Sequence, residues 1–321
     1  MPHATNAAST TLELAMKQLS AALTKVQGEN EDSEEGTAGD TKWHTAIREN
    51  EVEDLHGIQP KDLKATNQDG DTPLNLAVKL RSWDCLDFLL EQPYTCDINI
   101  ADSDGFTAIH SAVECDYSQV MEELLEKRST ANVNAAKNEN RDTPIHLAAE
   151  EDAYNCMEVM LEKRPLSFQV NRPNATGQTP IHLAAENSAY DCMRLMLQRP
   201  EADVERRNDD GDLPIHLAAA HDASGCLALL LERLPISVNM VNTDGDTPLH
   251  LAARNACADC LKLLIDTHLA DMNITNNNSD TVFDIVQRRD GYDEKRSRCL
   301  QLVKDELARR HGYSTLDFDF M

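Results

Sequence analysis

Five histidines, His110, His146, His182, His216 and His250, stand 34 to 36 residues apart and form the most conspicuous row of ionisable groups in the chain. Five cysteines, Cys85, Cys156, Cys192, Cys226 and Cys260, make a second row. Imidazole and thiolate are the common zinc ligands, so metal binding is the first chemistry to weigh. Side chains one structural repeat apart sit roughly 10 Å from each other in a helical stack, too far to share an ion held at bonds of about 2 Å. A structural role fits the histidines better, with each imidazole hydrogen-bonding a capping Thr and the neighbouring turn backbone. The cysteines read as small buried hydrophobes. Cys257-Ala258-Asp259-Cys260 is a lone CxxC with no second pair, so no metal or cofactor is expected. Cys115, eight residues after Thr107 at the exposed end of a predicted helix, is the thiol expected to react first. The phosphate-cradling, metalloprotease, nucleophile-elbow and dinucleotide signatures are missing, and no enzyme is expected.

A repeat positions these rows. Thr72–Ala77, Thr107–Ala112, Thr143–Ala148, Thr179–Ala184, Leu213–Ala218 and Thr247–Ala252 are copies of one hexapeptide, and degenerate copies flank them at Thr41–Ala46 and Thr281–Ile285. Thr is a good N-cap, Pro suits the first helical position, and the apolar residues behind them form a narrow stripe on a short helix. Thirteen residues after the Thr begins a second helical stretch, Cys85–Leu90 in the first full copy and Cys260–Ile265 in the last, which predicts an antiparallel helix pair. Five residues before the Thr stands Asn or Asp (Asn67, Asp102, Asn138, Asn174, Asn208, Asn242, Asn276), usually with Gly two before it. That pattern predicts a tight reversal, in doubt only where Arg141 and Ser279 replace the Gly.

These signatures resemble the ankyrin repeat family over residues 41–310. The resemblance implies an all-α fold: a solenoid of helix-turn-helix units with β-turn fingers, about six full repeats between degenerate N- and C-terminal capping repeats. The Gly usual between the two family helices is replaced by Arg81, Asp116, Asp152, Ser188, Asp222 and Ala256, and the loops after Lys127, Lys163 and Arg199 depart from the usual Gly-Ala. Outside the array the sequence divides into an amphipathic segment, 1–27, an acidic disordered linker, 28–40, and a C-terminal tail, 311–321. Leu12, Met16, Leu19, Leu23 and Val26 keep a 4-3-4-3 spacing, which leaves weak self-association through residues 10–26 open beside a marginal amphipathic helix. The end, Leu316–Met321, alternates apolar and acidic residues and reads as a docking motif or an unstructured tail.

Charge then restricts the partners. Thirty Lys and Arg against 56 Asp and Glu give a net charge of −26, a field that repels phosphate backbones and anionic lipids. No nucleic acid and no membrane are expected as partners. With no apolar run long enough to span a bilayer and no signal-peptide pattern, the chain reads as cytoplasmic, with the nucleus left open. Its odd number of cysteines, nine, suits reduced thiols.

In the ankyrin family the partner surface is concave, built from the finger tips and the exposed ends of the first helices. Carried over by position, this implies finger residues Asp69, Asp71, Asp104, Phe106, Asp142, Asp210, Asp212, Asp244 and Asp246, with Glu114, Glu150, Glu151, Glu186, Asn187 and His221 on the helix ends. Asp also favours turns and helix starts whatever binds, so the Glu row is the stronger signal. The resulting expectation is a non-catalytic protein-interaction module, an adaptor, scaffold or inhibitor, whose acidic groove takes a partner with a basic or basic-aromatic segment. Two alternatives stay open: a substrate-recruiting subunit of an enzyme complex, and an inhibitor resembling the Rel/NF-κB inhibitor family. Glu31-Asp32-Ser33-Glu34-Glu35 lacks the paired-serine phosphodegron of the latter.

Overall fold

The computed structural model describes residues 39–311 apart from 92–95, 128–130, 138, 164–166 and 289–293. The segment 1–27, nearly all of the acidic linker, Asn138 and the C-terminal tail lie outside the described residues. Among the latter there are fifteen α-helices, three short 3-10 helices and no strand.

After α1 (Lys42–Glu49) the helices come in pairs: α2 (Pro73–Leu80) with α3 (Trp83–Glu91), α4 (Ala108–Glu114) with α5 (Ser118–Lys127), α6 (Pro144–Glu150) with α7 (Tyr154–Lys163) and α8 (Pro180–Glu186) with α9 (Tyr190–Leu197). The series continues with α10 (Pro214–Ala220) and α11 (Ser224–Arg233), α12 (Pro248–Arg254) and α13 (Ala258–Asp266), and α14 (Val282–Arg288) and α15 (Glu294–His311). First helices pack on first helices from α1 to α14, and second helices on second helices from α5 to α15. In the first repeat, 3-10 turns at Val52–Leu55 and Asp62–Lys64 stand where a second helix would be.

Local chemistry accounts for the helix ends. Thr72 is an extended N-cap whose hydroxyl accepts the Asn75 N–H at 3.2 Å, and Pro73 follows at the first helical position. Between paired helices the chain turns through a left-handed residue, and this is Arg81, Asp116, Asp152, Ser188, Asp222 or Ala256, at φ 49 to 61°. Each non-Gly residue there costs about 1 kcal/mol. For the three aspartates a capping bond offsets it: Asp116, Asp152 and Asp222 accept the N–H of Cys156, Cys192 and Cys260, at the start of the next repeat's second helix, at 2.9 to 3.1 Å.

The fingers close as the Asx pattern predicts. Asn67 Oδ1 accepts the N–H groups of Asp69 and Asp71, and Asp102, Asn174, Asn208, Asn242 and Asn276 repeat the arrangement. At Gly177 the glycine has two reasons, since its φ is +76° and an added Cβ would lie 2.8 Å from the Asp209 nitrogen of the next finger. Ser279 takes the same left-handed conformation (φ 62°) in the last finger, where no further finger approaches from behind. Arg141 (φ 59°) belongs to a finger one residue longer than the others: Lys137 N–H bonds to the Asp142 carbonyl, in an isolated antiparallel bridge.

The cysteine row is buried and does more than fill space. Cys85, Cys156, Cys192, Cys226 and Cys260 each direct the thiol at a carbonyl of the preceding repeat's first helix, at Ala46, Ala112, Ala148, Ala184 and Ala218, over 3.3 to 3.9 Å. Burial pushes the Cys85 thiol up to about 11 and the Cys226 thiol up to about 12. Of the nine cysteines only Cys115 is not buried, yet partial burial and then Glu114 raise its pKa as well. Thiolate is the reactive form. With a neutral thiol reagent at pH 7.5, Cys115 is therefore expected to label first, and more slowly than a free cysteine. The five row cysteines should label only on unfolding. Peptide mapping by mass spectrometry checks this, and early labelling of the row would contradict its burial.

Candidate partner-binding surface

The histidines join one repeat to the next. In His146, His182, His216 and His250, Nδ1 accepts the backbone N–H three residues earlier, at 3.1 to 3.2 Å. An N–H donor at Nδ1 places the ring hydrogen on Nε2, which donates to a backbone carbonyl of the next repeat: Gln178, Asp212, Met240 and Asp280. His44 makes the same link to the Asp71 carbonyl at 2.9 Å. His110 differs, because it faces the longer finger and its Nε2 has no partner at hydrogen-bonding geometry among the described residues. The Asp142 and Ala135 carbonyls are near enough only to oppose the fall in its pKa. No group of three His, Cys, Asp or Glu among the described residues could hold a metal ion.

Burial drives the His110, His182 and His216 rings down to about 4 and lowers those of His146 and His250 too. A second proton would also place Nδ1–H against a backbone N–H. Since the folded values lie below the unfolded 6.5, the unfolded chain takes up protons first as pH falls. The stability is whole above pH 6.5 and is lost toward pH 4, at up to about 1.4 kcal/mol per pH unit for each ring. Asp71 and Asp212, raised by burial above 3.8, act in the opposite sense. Urea unfolding midpoints are expected to fall steeply between pH 6.5 and 4.5, and a flat profile would show that the rings titrate normally.

The fifteen residues implied as a partner surface divide three ways. Asp69, Asp104, Glu114, Glu151, Asn187, Asp210, His221 and Asp244 are exposed, and Phe106, Glu150 and Glu186 are half-buried. Asp71, Asp142, Asp212 and Asp246 are buried and do not face a groove, which corrects their place in the set. The finger turn explains this: it points the residue three before the Thr outward and the residue just before the Thr into the stack, where the next finger covers it. Asp142, Asp212 and Asp246 accept the side-chain amides of Asn174, Asn242 and Asn276 at 2.8 to 2.9 Å.

Part of the helix-end row is likewise engaged internally. Arg254 binds Asp246, and Gln178 donates to Glu186 at 2.6 Å. Glu150, half-buried with a raised pKa, lies 3.9 Å from Lys137. Sequence reasoning missed these contacts. Their signal was a pairing eight residues apart, Asp71 with Lys79, Gln178 with Glu186 and Asp246 with Arg254, which joins a finger to the end of its own helix.

Lys79 shows the same logic under stress. The second finger carries Asp102 where the others have Asn, and a carboxylate cannot donate to Asp71. Lys79 Nζ bridges the two, at 2.7 Å from Asp71 and 2.6 Å from Asp102. Lys79→Met is expected to cost about 3 kcal/mol by leaving two buried carboxylates unpaired. Lys79→Met combined with Asp102→Asn restores an amide donor facing Asp71 and should recover at least half of that loss in a double-mutant cycle by urea unfolding. Additive losses would disprove the bridging role.

With this geometry in hand, comparison with known proteins identifies the family. The family description "Ankyrin repeats (3 copies)" matches at residues 43–137, 130–208 and 197–277, and the chain belongs to the ankyrin repeat family. No curated protein matches. Among solved structures, the chain is similar to the ankyrin repeat domain of Bcl-3, described as a unique member of the IkappaB protein family, with a TM-score of 0.60 and 24% identity over 74% of this chain and 100% of that one. The protein is a protein-interaction module. No helix among the described residues is long and apolar enough to cross a membrane.

Proposed function

We propose that this protein binds a basic or basic-aromatic segment of another protein through the acids left exposed on its finger tips and first-helix ends, as an adaptor, scaffold or inhibitor in the cytoplasm or nucleus. The carrying observation is what remains once the buried aspartates are set aside. Asp104, Glu114, Glu151, Asp210 and Asp244 are exposed, and none is ion-paired among the described residues. These carboxylates repel one another across neighbouring repeats, and a cationic segment relieves that repulsion. Half-buried Phe106, with Lys137 5.0 Å from its ring centroid, adds an apolar contact to the acidic surface.

Charge reversal tests this reading. Glu114→Lys with Glu151→Lys is expected to weaken capture of the native partner at least tenfold, about 1.4 kcal/mol, without lowering the melting temperature, because neither side chain is buried. Binding by the unaltered chain should also weaken as salt rises. Arg233→Glu with Lys262→Glu, on exposed positions of the second helices, is the control and should leave capture within about twofold of the original. If the control loses the partner and the Glu pair keeps it, the docking surface lies on the outer helices.

A further inference from the structure

The inter-helix turns of four successive repeats carry an aromatic row that the concave surface does not use. Trp83, Tyr154 and Tyr190 open α3, α7 and α9, and Tyr117 immediately precedes α5. Large rings at helix starts are normally drawn into the core, but Trp83 keeps 45% of its surface exposed and Tyr190 keeps 42%. They are nevertheless held in place. Trp83 meets Tyr117 edge to face at 5.2 Å, and Tyr190 lies against Gly225 of α11, where an added Cβ would come within 3.0 Å of the ring. A glycine inside a helix costs about 1 kcal/mol relative to alanine, and here it leaves room for the ring.

Two of these rings already receive guanidinium groups from the chain itself. Arg81 sits 4.6 Å from the Tyr117 centroid and Arg194 6.0 Å from that of Tyr154, a contact in which arginine is favoured over lysine because its planar group stacks on the ring. The surroundings are acidic. Asp84, Asp152 and Asp191 are exposed and Asp116 is half-buried along the same turns, so acids outnumber Arg81 and Arg194 there and more than offset the partial positive charge of the helix starts.

We propose that this edge is a second docking strip, which takes arginine side chains of an extended partner segment on the exposed rings of Trp83 and Tyr190 and, in the two repeats between them, beside Asp116 and Asp152. It rests on the reading of a basic partner but not on the finger-tip acids. Repeats stack at about 8 to 10 Å, and a polyproline II segment advances about 9.3 Å in three residues, one full turn. An arginine at every third position therefore meets successive repeats from one side of the segment.

The test uses the full chain at physiological salt with a synthetic peptide of about four arginines, one in every three residues with Pro and Ser between, and the same peptide with lysine throughout. Trp83 reports binding by fluorescence, because the only other tryptophan, Trp43, is buried. The arginine peptide should bind about tenfold more tightly than the lysine peptide. Trp83→Ala with Tyr190→Ala, followed by calorimetry, should remove that advantage, while Ile236→Ala with Leu269→Ala, exposed apolar residues elsewhere, should keep it. Equal binding of the two peptides, no binding of the arginine peptide, or an undiminished advantage in the aromatic variant would overturn the strip. Asp104→Asn with Asp244→Asn separates this proposal from the concave reading. If that variant weakens the peptide more than the aromatic one does, the arginines lie among the fingers and the strip is wrong, while the acidic concave surface stands.

Discussion

Every repeat of this molecule is closed by hydrogen bonds that its neighbour supplies. The imidazole of one first helix ties its own N-terminus through Nδ1 and the next repeat's backbone through Nε2. The cysteine of one second helix reaches back to the preceding first helix, and the left-handed aspartate of one turn caps the following helix. No repeat completes these bonds alone, so folding and stability are properties of neighbouring pairs. The same constraint occupies four of the five row histidines, His146, His182, His216 and His250, whose two ring nitrogens are both engaged with backbone groups, as buried polar groups generally are.

The same constraint sorts the charge. A chain of −26 has carboxylates throughout, but the finger geometry turns alternate residues inward. The inward ones are matched, in three fingers by an Asn amide about 30 residues on, and where that Asn is an Asp by a lysine at the end of the same repeat's first helix. Buried acids without such partners would be protonated or would destabilise the stack. Those that face outward have no comparable obligation. The inward aspartates are therefore withdrawn from any partner, although they count in the formal total.

The repeat, the helix pairs, the Asx fingers and the structural role of the histidines were all legible in the sequence, because each is written into every 34- to 36-residue copy. The inward aspartates were not. Whether Asp142 or Asp246 faces solvent is decided by Asn174 or Asn276 one repeat later, and only superposing the repeats in space brings those rows together. Arg141 and Ser279 mark the same boundary. Both break the Gly rule, yet the left-handed turn survives in both, at Ser279 because the close approach that requires Gly elsewhere has no following finger to make it. Cys115, at its helix end, is the one cysteine that is not buried, but its environment raises the thiol instead of activating it.

The aromatic edge escaped a sequence reading for a related reason. Tyr117 stands one position earlier in its repeat than Trp83, Tyr154 and Tyr190 do in theirs, so the row is staggered and resembles scattered core residues. In space the stagger lets Trp83 and Tyr117 meet edge to face across neighbouring repeats. The turn beside them is built from αL residues that in an idealised array would be glycines. Where these are Asp116 and Asp152, capping and acidity come from one side chain: Oδ1 holds the next helix, and the formal charge remains beside the rings. A glycine there would keep the turn but remove both the cap and the charge, so the departures from the family pattern at these turns also give the edge the chemistry that favours a cation.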